Sequence, residues 1–335
     1  MDILHKIVLY LYRKLTGDGC IMLYLAIILI LIAIIIGISY YAFRVAFLAP
    51  PHLDTNHYYV PDFKQFDEVH ERIKVSVSRM AARQYEPVTI TSFDGSKLFA
   101  RYYHVADGAP VQILFHGYKS SSLLDCSGGS YFAEQLGQNA IVVDQRSHGQ
   151  SEGSVITFGI KERRDCLCWI DYAKKRFGDD VPIILSGLSM GAATVLMVND
   201  LELPKNVKGI IADCPYSSPK EIIMKVAKER HFPPHLMLPF VWLGGMLFGH
   251  FNLFESSAIE AIKNSHVPIL ILHGDADELV PCEMSKRMRD SGAKDITLGT
   301  FEGAGHGLSY IINPAKYEKT IVQFIQKCLK KETFG

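Results

Sequence analysis

The chain has 335 residues, of which 48% are hydrophobic, and its 35 lysines and arginines balance its 35 aspartates and glutamates. This length and composition fit one sizeable globular domain with an accessory segment, and they exclude a fibrous or disordered chain. A formal net charge of zero, with no long run of basic residues, gives no electrostatic footprint for nucleic acid, so that class of partner is excluded.

An unbroken apolar run without a charged residue extends from Ile21 to Phe43. As a helix rising about 1.5 Å per residue it would reach about 34 Å, enough to cross a hydrocarbon core of about 30 Å. A cleaved signal peptide has a shorter apolar core of about 7–15 residues, and no A-x-A site follows this run. The sequence therefore predicts a retained transmembrane anchor over residues 21–43.

The charges on either side of this run favour one orientation. Lys6, Arg13 and Lys14 precede it, whereas Arg44 is the only basic residue between it and Lys64. The positive-inside rule then predicts an N-terminus in the cytoplasm and a globular domain on the extracytoplasmic side of the cell membrane.

The remaining segments follow from their hydrophobic patterns. Apolar residues recur at helical spacing within residues 1–20, which predicts a short amphipathic segment that lies on the membrane surface or packs against a partner. Residues 44–85 are expected to form a linker and a helical lead-in, and residues 86–335 the globular domain.

Within that domain, short apolar runs alternate with helical patterns. The runs, in chain order, are PVTITS, KLFARYYHV, VQILFHG, AIVVDQ, PIILSG, KGIIAD, PILILHG and DITLGTF. Strands buried on both faces and separated by helices predict an α/β domain with a mostly parallel central sheet and functional residues at the carboxyl ends of its strands. A partly apolar insertion interrupts the alternation at about residues 216–266 and predicts a helical lid.

The strongest chemical motif is Gly187-Leu188-Ser189-Met190-Gly191, directly after the strand pattern PIILS and before the small residues of a helix start. A serine hydroxyl is a poor nucleophile, so it must be exposed on a tight turn where a base can reach it, and glycines leave room for that turn. The following helix start presents N–H groups to a developing oxyanion. Ser189 is therefore predicted to be a catalytic nucleophile.

Two further sites follow in the order acid, histidine, each after a later strand pattern. Asp277 lies in the segment after PILILHG, and His306 lies among glycines after DITLGTF. Asp277 would orient the imidazole of His306, which would accept the Ser189 proton and return it to the leaving group.

With these motifs the chain resembles membrane-anchored α/β-hydrolases of the serine-aminopeptidase-like or Bem46-like group of Gram-positive bacteria, from about Glu86 to its end. The resemblance implies that the acid is the fifth residue of HGxxD, Asp277, and the alternatives are Asp275, Glu278 and Asp213.

The resemblance also implies an oxyanion hole made of two backbone N–H groups, one from Tyr118 after the His116-Gly117 pair and one from Met190 after the nucleophile. The segment DQRSHGQSEG at residues 144–153 is similar to a further signature of this fold. Its His148 is expected to shape the loop beneath the site and not to react.

The insertion contains the apolar stretch PFVWLGGMLFGHFNLF, which is too short and too interrupted to span a bilayer. Phe240 and Trp242 are expected to line an acyl pocket, although core packing would produce the same pattern. The small-molecule partner expected is a lipid-like acyl compound. The seven cysteines form no CxxC pair and no zinc-like cluster, so neither a metal nor a cofactor is expected.

The sequence thus predicts a serine hydrolase, carboxylesterase-like or lipase-like, that cleaves an ester, thioester or amide through an acyl-enzyme. A peptidase or an acyltransferase with the same triad is the alternative. A catalytically idle, membrane-tethered binding protein is the third possibility.

Overall fold

The computed structural model describes residues 5–8, 10, 18–49 and 69–330 of the chain. Most of the amphipathic segment predicted over residues 1–20 lies outside the described residues, and so do residues 50–68 of the predicted linker. The described part consists of a long N-terminal helix followed by an α/β domain.

One eight-stranded sheet forms the centre of the described domain, in the order β1-β2-β4-β3-β5-β6-β7-β8. Its strands are β1 Glu86–Thr91, β2 Lys97–Tyr103, β3 Val111–Phe115, β4 Asn139–Val143, β5 Ile183–Leu188, β6 Val207–Asp213, β7 Ile269–Gly274 and β8 Ile296–Phe301. β2 is antiparallel to both β1 and β4, and the pairs from β4 to β8 are parallel. The predicted mostly parallel α/β sheet is confirmed.

The described helices are the long N-terminal helix α1 and the helices that flank this sheet. They are α1 Asp18–Ala46, α2 His70–Ala81, α3 Ser122–Asp125, α4 Ser127–Gln135, α5 Glu162–Phe177, α6 Met190–Met197, α7 Pro219–Glu229, α8 Pro234–Gly244, α9 Ala258–Ala261, α10 Cys282–Arg289, α11 Ser309–Ile312 and α12 Pro314–Lys330. Short 3₁₀ turns cover Val198–Asp200 and Ile262–Asn264, and a π-helical turn covers Gly245–Gly249. The insertion expected at about residues 216–266 contains α7, α8, the π-helical turn, α9 and the second 3₁₀ turn.

Alternate residues of the parallel strands supply the two faces of the core. Ile113 and Phe115 of β3 belong to the cluster that also contains Trp169 of α5. Leu114, between them, belongs to a second cluster with Val77 of α2. Because successive side chains of a strand point to opposite faces, an uninterrupted apolar run is required where helices cover both sides.

The N-terminal helix α1 does not end as the sequence predicts. It continues three residues beyond the predicted end at Phe43, to Ala46, and Phe43 and Phe47 are buried in the domain core. The residues expected to begin the linker instead bond to the domain, since Ile156 N–H donates to the Phe47 carbonyl at 2.7 Å. Burial of the two phenylalanine rings accounts for this difference, because apolar surface removed from water stabilises the packed state.

The segment Ile21–Ala46 of this helix is long and apolar enough to cross a membrane. That property fits a single-pass membrane anchor.

Replacing Phe47 with alanine tests whether the end of α1 is part of the domain. The ring lies edge-on to Phe158 and Phe251, with centroid distances of 5.8 and 5.0 Å. Truncating a buried phenylalanine costs about 3–5 kcal/mol, which should lower the Tm of a domain of this size by about 10 °C. Thermal unfolding of the full chain in detergent measures the shift. Tyr41→Ala removes an exposed ring from the same helix and should leave the Tm unchanged; equal Tm values for both variants would contradict the assignment.

Candidate active site

Ser189 lies on the sharp turn between β5 and α6, with φ 54° and ψ −111°. A non-glycine residue rarely adopts a positive φ, so the surrounding structure has to hold it there. The two flanking glycines make the turn possible. A Cβ on Gly187 would overlap the main chain of Gly191, and a Cβ on Gly191 would overlap the Phe115 carbonyl at the end of β3.

The three side chains predicted to act together lie in one line of hydrogen bonds. His306 Nε2 is 2.9 Å from Ser189 Oγ, and His306 Nδ1 is 2.7 Å from Asp277 Oδ2. A carboxylate accepts only, so Nδ1 carries the proton and Nε2 is left to accept from the serine hydroxyl. All three residues are buried, with 9%, 9% and 6% of Ser189, His306 and Asp277 exposed.

Asp277 is held by its own loop as well as by the imidazole. Its Oδ1 accepts from the N–H groups of Leu279 and Val280 at 2.9 and 2.8 Å, and His273 Nε2 lies 3.2 Å from Oδ2. Burial would raise the pKa of Asp277, but the hydrogen bonds from His273 and His306 outweigh it and hold the pKa well below its usual range. The carboxylate therefore stays ionised beside the imidazole.

His273, at the end of β7, positions the acid loop. It is fully buried, with Nδ1 2.6 Å from Ser285 Oγ and Nε2 2.8 Å from the Val280 carbonyl. The Nε2 proton is thus shared between the Val280 carbonyl and the Asp277 carboxylate. The HGxxD motif includes this histidine, but sequence reasoning assigned it no role.

The alternative acids have other surroundings. Asp275 is exposed and its Oδ1 accepts from Gly303 N–H at 2.8 Å, while Asp213 Oδ2 accepts from the Tyr317 hydroxyl at 2.8 Å. Glu278 is exposed on the surface of the loop. Of the four candidate acids, Asp277 is therefore the one that contacts the His306 imidazole.

The loop after β3 runs directly beside the serine, since a Cβ on Gly117 would lie 3.4 Å from Ser189 Cβ. Polar side chains fix the loop on both sides of Tyr118. Gly117 N–H donates to Asp125 Oδ2 at 2.7 Å, and Lys119 N–H donates to His148 Nε2 at 3.1 Å. No local motif marks Asp125, so sequence reasoning missed it.

Two buried histidines support this loop as neutral rings. Burial lowers the pKa of His116 to about 4 and that of His148 to about 3. His148 Nδ1 donates to the Arg146 carbonyl at 2.9 Å while its Nε2 accepts from Lys119. These bonds agree with the expectation that His148 shapes the loop. Met190, the other residue expected in an oxyanion hole, begins α6, where the N–H groups of the first turn have no acceptor within the helix.

The two residues expected in an acyl pocket, both on α8, have different surroundings. Phe240 is half-buried and packs against the main core cluster. Trp242 is 37% exposed, its Nε1 donates to Asn252 at 3.0 Å, and its ring lies 6.2 Å from that of Phe254. Trp242 thus lies at the surface of the insertion, and its place in an acyl pocket stays a prediction.

One group of potential metal ligands coincides with the site. Ligand atoms of Cys214, Asp277 and His306 lie within 4.8 Å of one another. The Asp277 and His306 atoms already bond to each other, and burial raises the pKa of the Cys214 thiol well above its ordinary value. This donor set fits a hydrogen-bonded pair better than a metal centre. Five of the described cysteines, Cys126, Cys166, Cys168, Cys214 and Cys282, are free thiols.

A buried serine on a strand-to-helix turn, with an acid and a histidine at later strand ends of a mostly parallel sheet, defines a serine hydrolase of the α/β-hydrolase superfamily. The sequence profile of the prolyl oligopeptidase family matches residues 157–332, more than half of the chain. The chain belongs to that family.

The chain is also similar to individual proteins. The chain is 27% identical over 226 residues to the uncharacterized protein YqkD of Bacillus subtilis, covering 67% of this chain and 74% of YqkD. It is 28% identical over 255 residues to the monoglyceride lipase of Mus musculus, covering 65% of this chain and 82% of the lipase. Protein bem46 of Schizosaccharomyces pombe is 24% identical over 224 residues, covering 66% of this chain and 65% of bem46. The predicted Bem46-like resemblance is confirmed.

A solved structure shares the fold. The esterase Pf2001 of Pyrococcus furiosus superposes with a TM-score of 0.61 at 20% identity, over 84% of this chain and 98% of the esterase. The α/β-hydrolase fold predicted from the sequence is thereby confirmed.

Asp213 makes stability depend on pH. Burial raises its pKa to about 6, although the hydrogen bond from Tyr317 opposes the shift. The folded chain therefore binds this proton more tightly than the unfolded chain. The resulting contribution to stability is present below about pH 4 and is lost as the pH rises through about 6.

Asp213→Asn cannot ionise, so it should stabilise the chain at pH 7.5 by on the order of 1–3 kcal/mol and have little effect at pH 4. Thermal unfolding of the full chain in detergent across this pH range measures the difference in Tm. Asp107→Asn, at an exposed carboxylate, should follow the wild type throughout. A curve for Asp213→Asn parallel to that of the wild type would refute the burial argument.

Proposed function

We propose that this protein hydrolyses carboxylic esters, with Ser189 as nucleophile, His306 as general base and Asp277 as the acid that orients it. One observation carries the proposal. The line of hydrogen bonds from Asp277 through His306 to Ser189 is unbroken, and it ends on a serine held at a positive φ.

In the proposed mechanism, His306 Nε2 takes the hydroxyl proton as Ser189 Oγ attacks the ester carbonyl carbon. The Asp277 carboxylate stabilises the imidazolium that results. The backbone N–H groups of Tyr118 and Met190 are proposed to bind the oxyanion. The imidazolium then protonates the departing alcohol, and a water molecule activated by His306 releases the acid from the acyl-enzyme.

An ester with an apolar acyl chain is the proposed substrate. The mouse monoglyceride lipase is named for a lipid ester, and the insertion of this chain carries a long uncharged stretch, Pro234–Gly249.

Peptide hydrolysis is the second candidate, because the matching family is named for prolyl oligopeptidase. The same triad cleaves amides. Turnover of amino-acyl p-nitroanilides that exceeds the turnover of p-nitrophenyl esters would favour it.

Labelling with a fluorophosphonate probe tests the nucleophile directly. The wild-type chain should react, and Ser189→Ala and His306→Ala should lose the label, because the first removes the attacking oxygen and the second removes its base. Turnover of p-nitrophenyl esters of graded chain length should then show an optimum that reflects the acyl pocket. A folded wild type that takes no label would leave the chain as a tethered binding protein.

The acid is tested on the same substrates with a matched pair of variants. Asp277→Asn should lower kcat by about 10³–10⁴-fold, because the amide cannot hold the imidazole in its productive tautomer. Glu278→Gln neutralises the adjacent, exposed carboxylate and should change kcat less than about twofold. Similar losses in both variants would exclude Asp277 as the acid.

We further propose that the N-terminus lies in the cytoplasm and the catalytic domain outside. The support is the excess of basic residues before the apolar run. Fused to the C-terminus of the full chain in a bacterial host, alkaline phosphatase should be active and green fluorescent protein should be dark. The reverse pattern would establish the opposite orientation.

A further inference from the structure

Helix α1 leaves the domain as an exposed apolar rod. Residues 21–38 are exposed, and burial begins at Ser39. Eighteen residues at about 1.5 Å each reach about 27 Å, close to the thickness of a hydrocarbon core of about 30 Å. Tyr40 and Tyr41 follow at the level where aromatic side chains are enriched in membrane proteins. In a bilayer spanned by α1, the interface therefore lies at about Ser39 to Tyr41.

The insertion contacts α1 at this level. A Cβ on Gly244 of α8 would overlap the Ser39 carbonyl and lie 3.0 Å from Phe43 Cβ. The ring of Phe248, in the π-helical turn, lies 5.1 Å from that of Tyr40 and 5.8 Å from that of Phe43. These contacts hold α8 and the turn at the same depth as the end of the apolar rod.

The opposite side of the insertion is apolar and uncovered. The segment Pro234–Gly249 has no charged residue, and Leu236, Trp242, Met246 and Leu247 are exposed by 63%, 37%, 42% and 45%. We call these four side chains the docking face. A helix that is apolar on all sides is expected to be buried, yet the domain and α1 cover only part of this one.

The active site adjoins the same end of α1. The Tyr118 hydroxyl donates to the Ala46 carbonyl at 2.9 Å. The Tyr118 ring stacks on Phe158 at 4.9 Å, and Phe158 meets Phe47 edge to face at 5.8 Å. The loop that runs beside Ser189 is therefore bonded to the last turn of the membrane helix.

We propose that the docking face and the end of α1 lie together in the interface of one lipid leaflet, so that acyl esters reach Ser189 from the bilayer. The route to Ser189 rests on the proposed function, whereas the seating of the docking face does not. We infer that a bilayer covers the docking face, because this face continues the exposed surface of α1. A lipid phase covers an apolar helix of this length on all sides. A second copy of the chain would cover the docking face but leave the rod exposed.

Tryptophan fluorescence tests the seating without any need for catalysis. The chain has two tryptophans, of which Trp169 is fully buried in the core and Trp242 lies on the docking face. The full chain with Ser189→Ala, so that no lipid is hydrolysed, is reconstituted into phosphatidylcholine vesicles. The lipids are brominated either near the head group or near the end of the acyl chain. Trp242→Phe in the same background isolates the signal of Trp169.

Bromine near the head group should quench the Trp242 signal at least about twofold, and bromine near the chain end should quench it less, because the indole would lie at interface depth. Quenching of the variant that retains only Trp169 should be small. Equal quenching with and without Trp242 would overturn the proposal. Trp242 fluorescence that is insensitive to bromine would also overturn the proposal. It would indicate that a second copy of the chain covers the docking face.

A second measurement follows substrate delivery. Leu247→Asp places a charge on the docking face. It should lower the ratio between turnover of an ester held in vesicles and turnover of a water-soluble ester at least about tenfold, since a carboxylate is costly to insert into lipid. Val75→Asp places the same charge at an exposed apolar position of α2 and should keep the ratio. An unchanged ratio for Leu247→Asp would overturn the route from the bilayer. No turnover of either ester by the wild type would instead refute the proposed function, and the fluorescence result would still decide the docking.

Discussion

The Ser189 side chain has to project from the end of β5 at the point where the main chain turns into α6. Much of the surrounding packing follows from that requirement. The turn brings α6 so close to β3 that only glycine fits at position 191, where a Cβ would meet the Phe115 carbonyl. The same closeness puts Gly117, two residues after β3, beside the serine. A positive φ at Ser189 costs of order 1–3 kcal/mol by itself. Packing of the fully buried α6 against its neighbours offsets this strain.

Buried polar groups hold the loops at the strand ends. Their protonation states leave the His306 imidazole as the group that can accept the Ser189 proton. Asp125 and His148 fix the loop after β3, and His273 fixes the loop after β7. His148 is kept neutral because charging a buried ring is costly. Asp277 is ionised for the opposite reason, since four hydrogen-bond donors, those of His273 and His306 among them, compensate its burial. Environment, more than residue type, therefore separates supporting histidines and carboxylates from reacting ones.

The sequence predicted the α/β class and the residues that meet at the site because both depend on local patterns. Alternation of apolar runs with helical segments marks parallel strands, and strand ends of such a sheet share one edge. Asp125 could not be found this way, since it reaches Gly117 only after the chain has folded. The surface position of Trp242 could not be predicted for a related reason: hydrophobic periodicity identifies an apolar face but not what covers it. The end of α1 extends beyond its predicted limit because Phe47 finds its partners, Phe158 and Phe251, more than a hundred residues away.

If α1 is seated in a bilayer as proposed, a site bonded to the end of that helix would change the energetics of capture of an apolar ester. Drawing a long acyl chain fully into water costs about 0.8 kcal/mol per CH₂, so a chain of about 16 carbons would face a barrier above about 10 kcal/mol. A site that opens at the interface has to lift only the carbonyl region of the ester, and the rest of the chain can pass from lipid to protein. Such a transfer requires a fixed distance between Ser189 and the bilayer. A flexible tether would not supply it, whereas burial of Phe43 and Phe47 in the domain core and the bond from Tyr118 to Ala46 do.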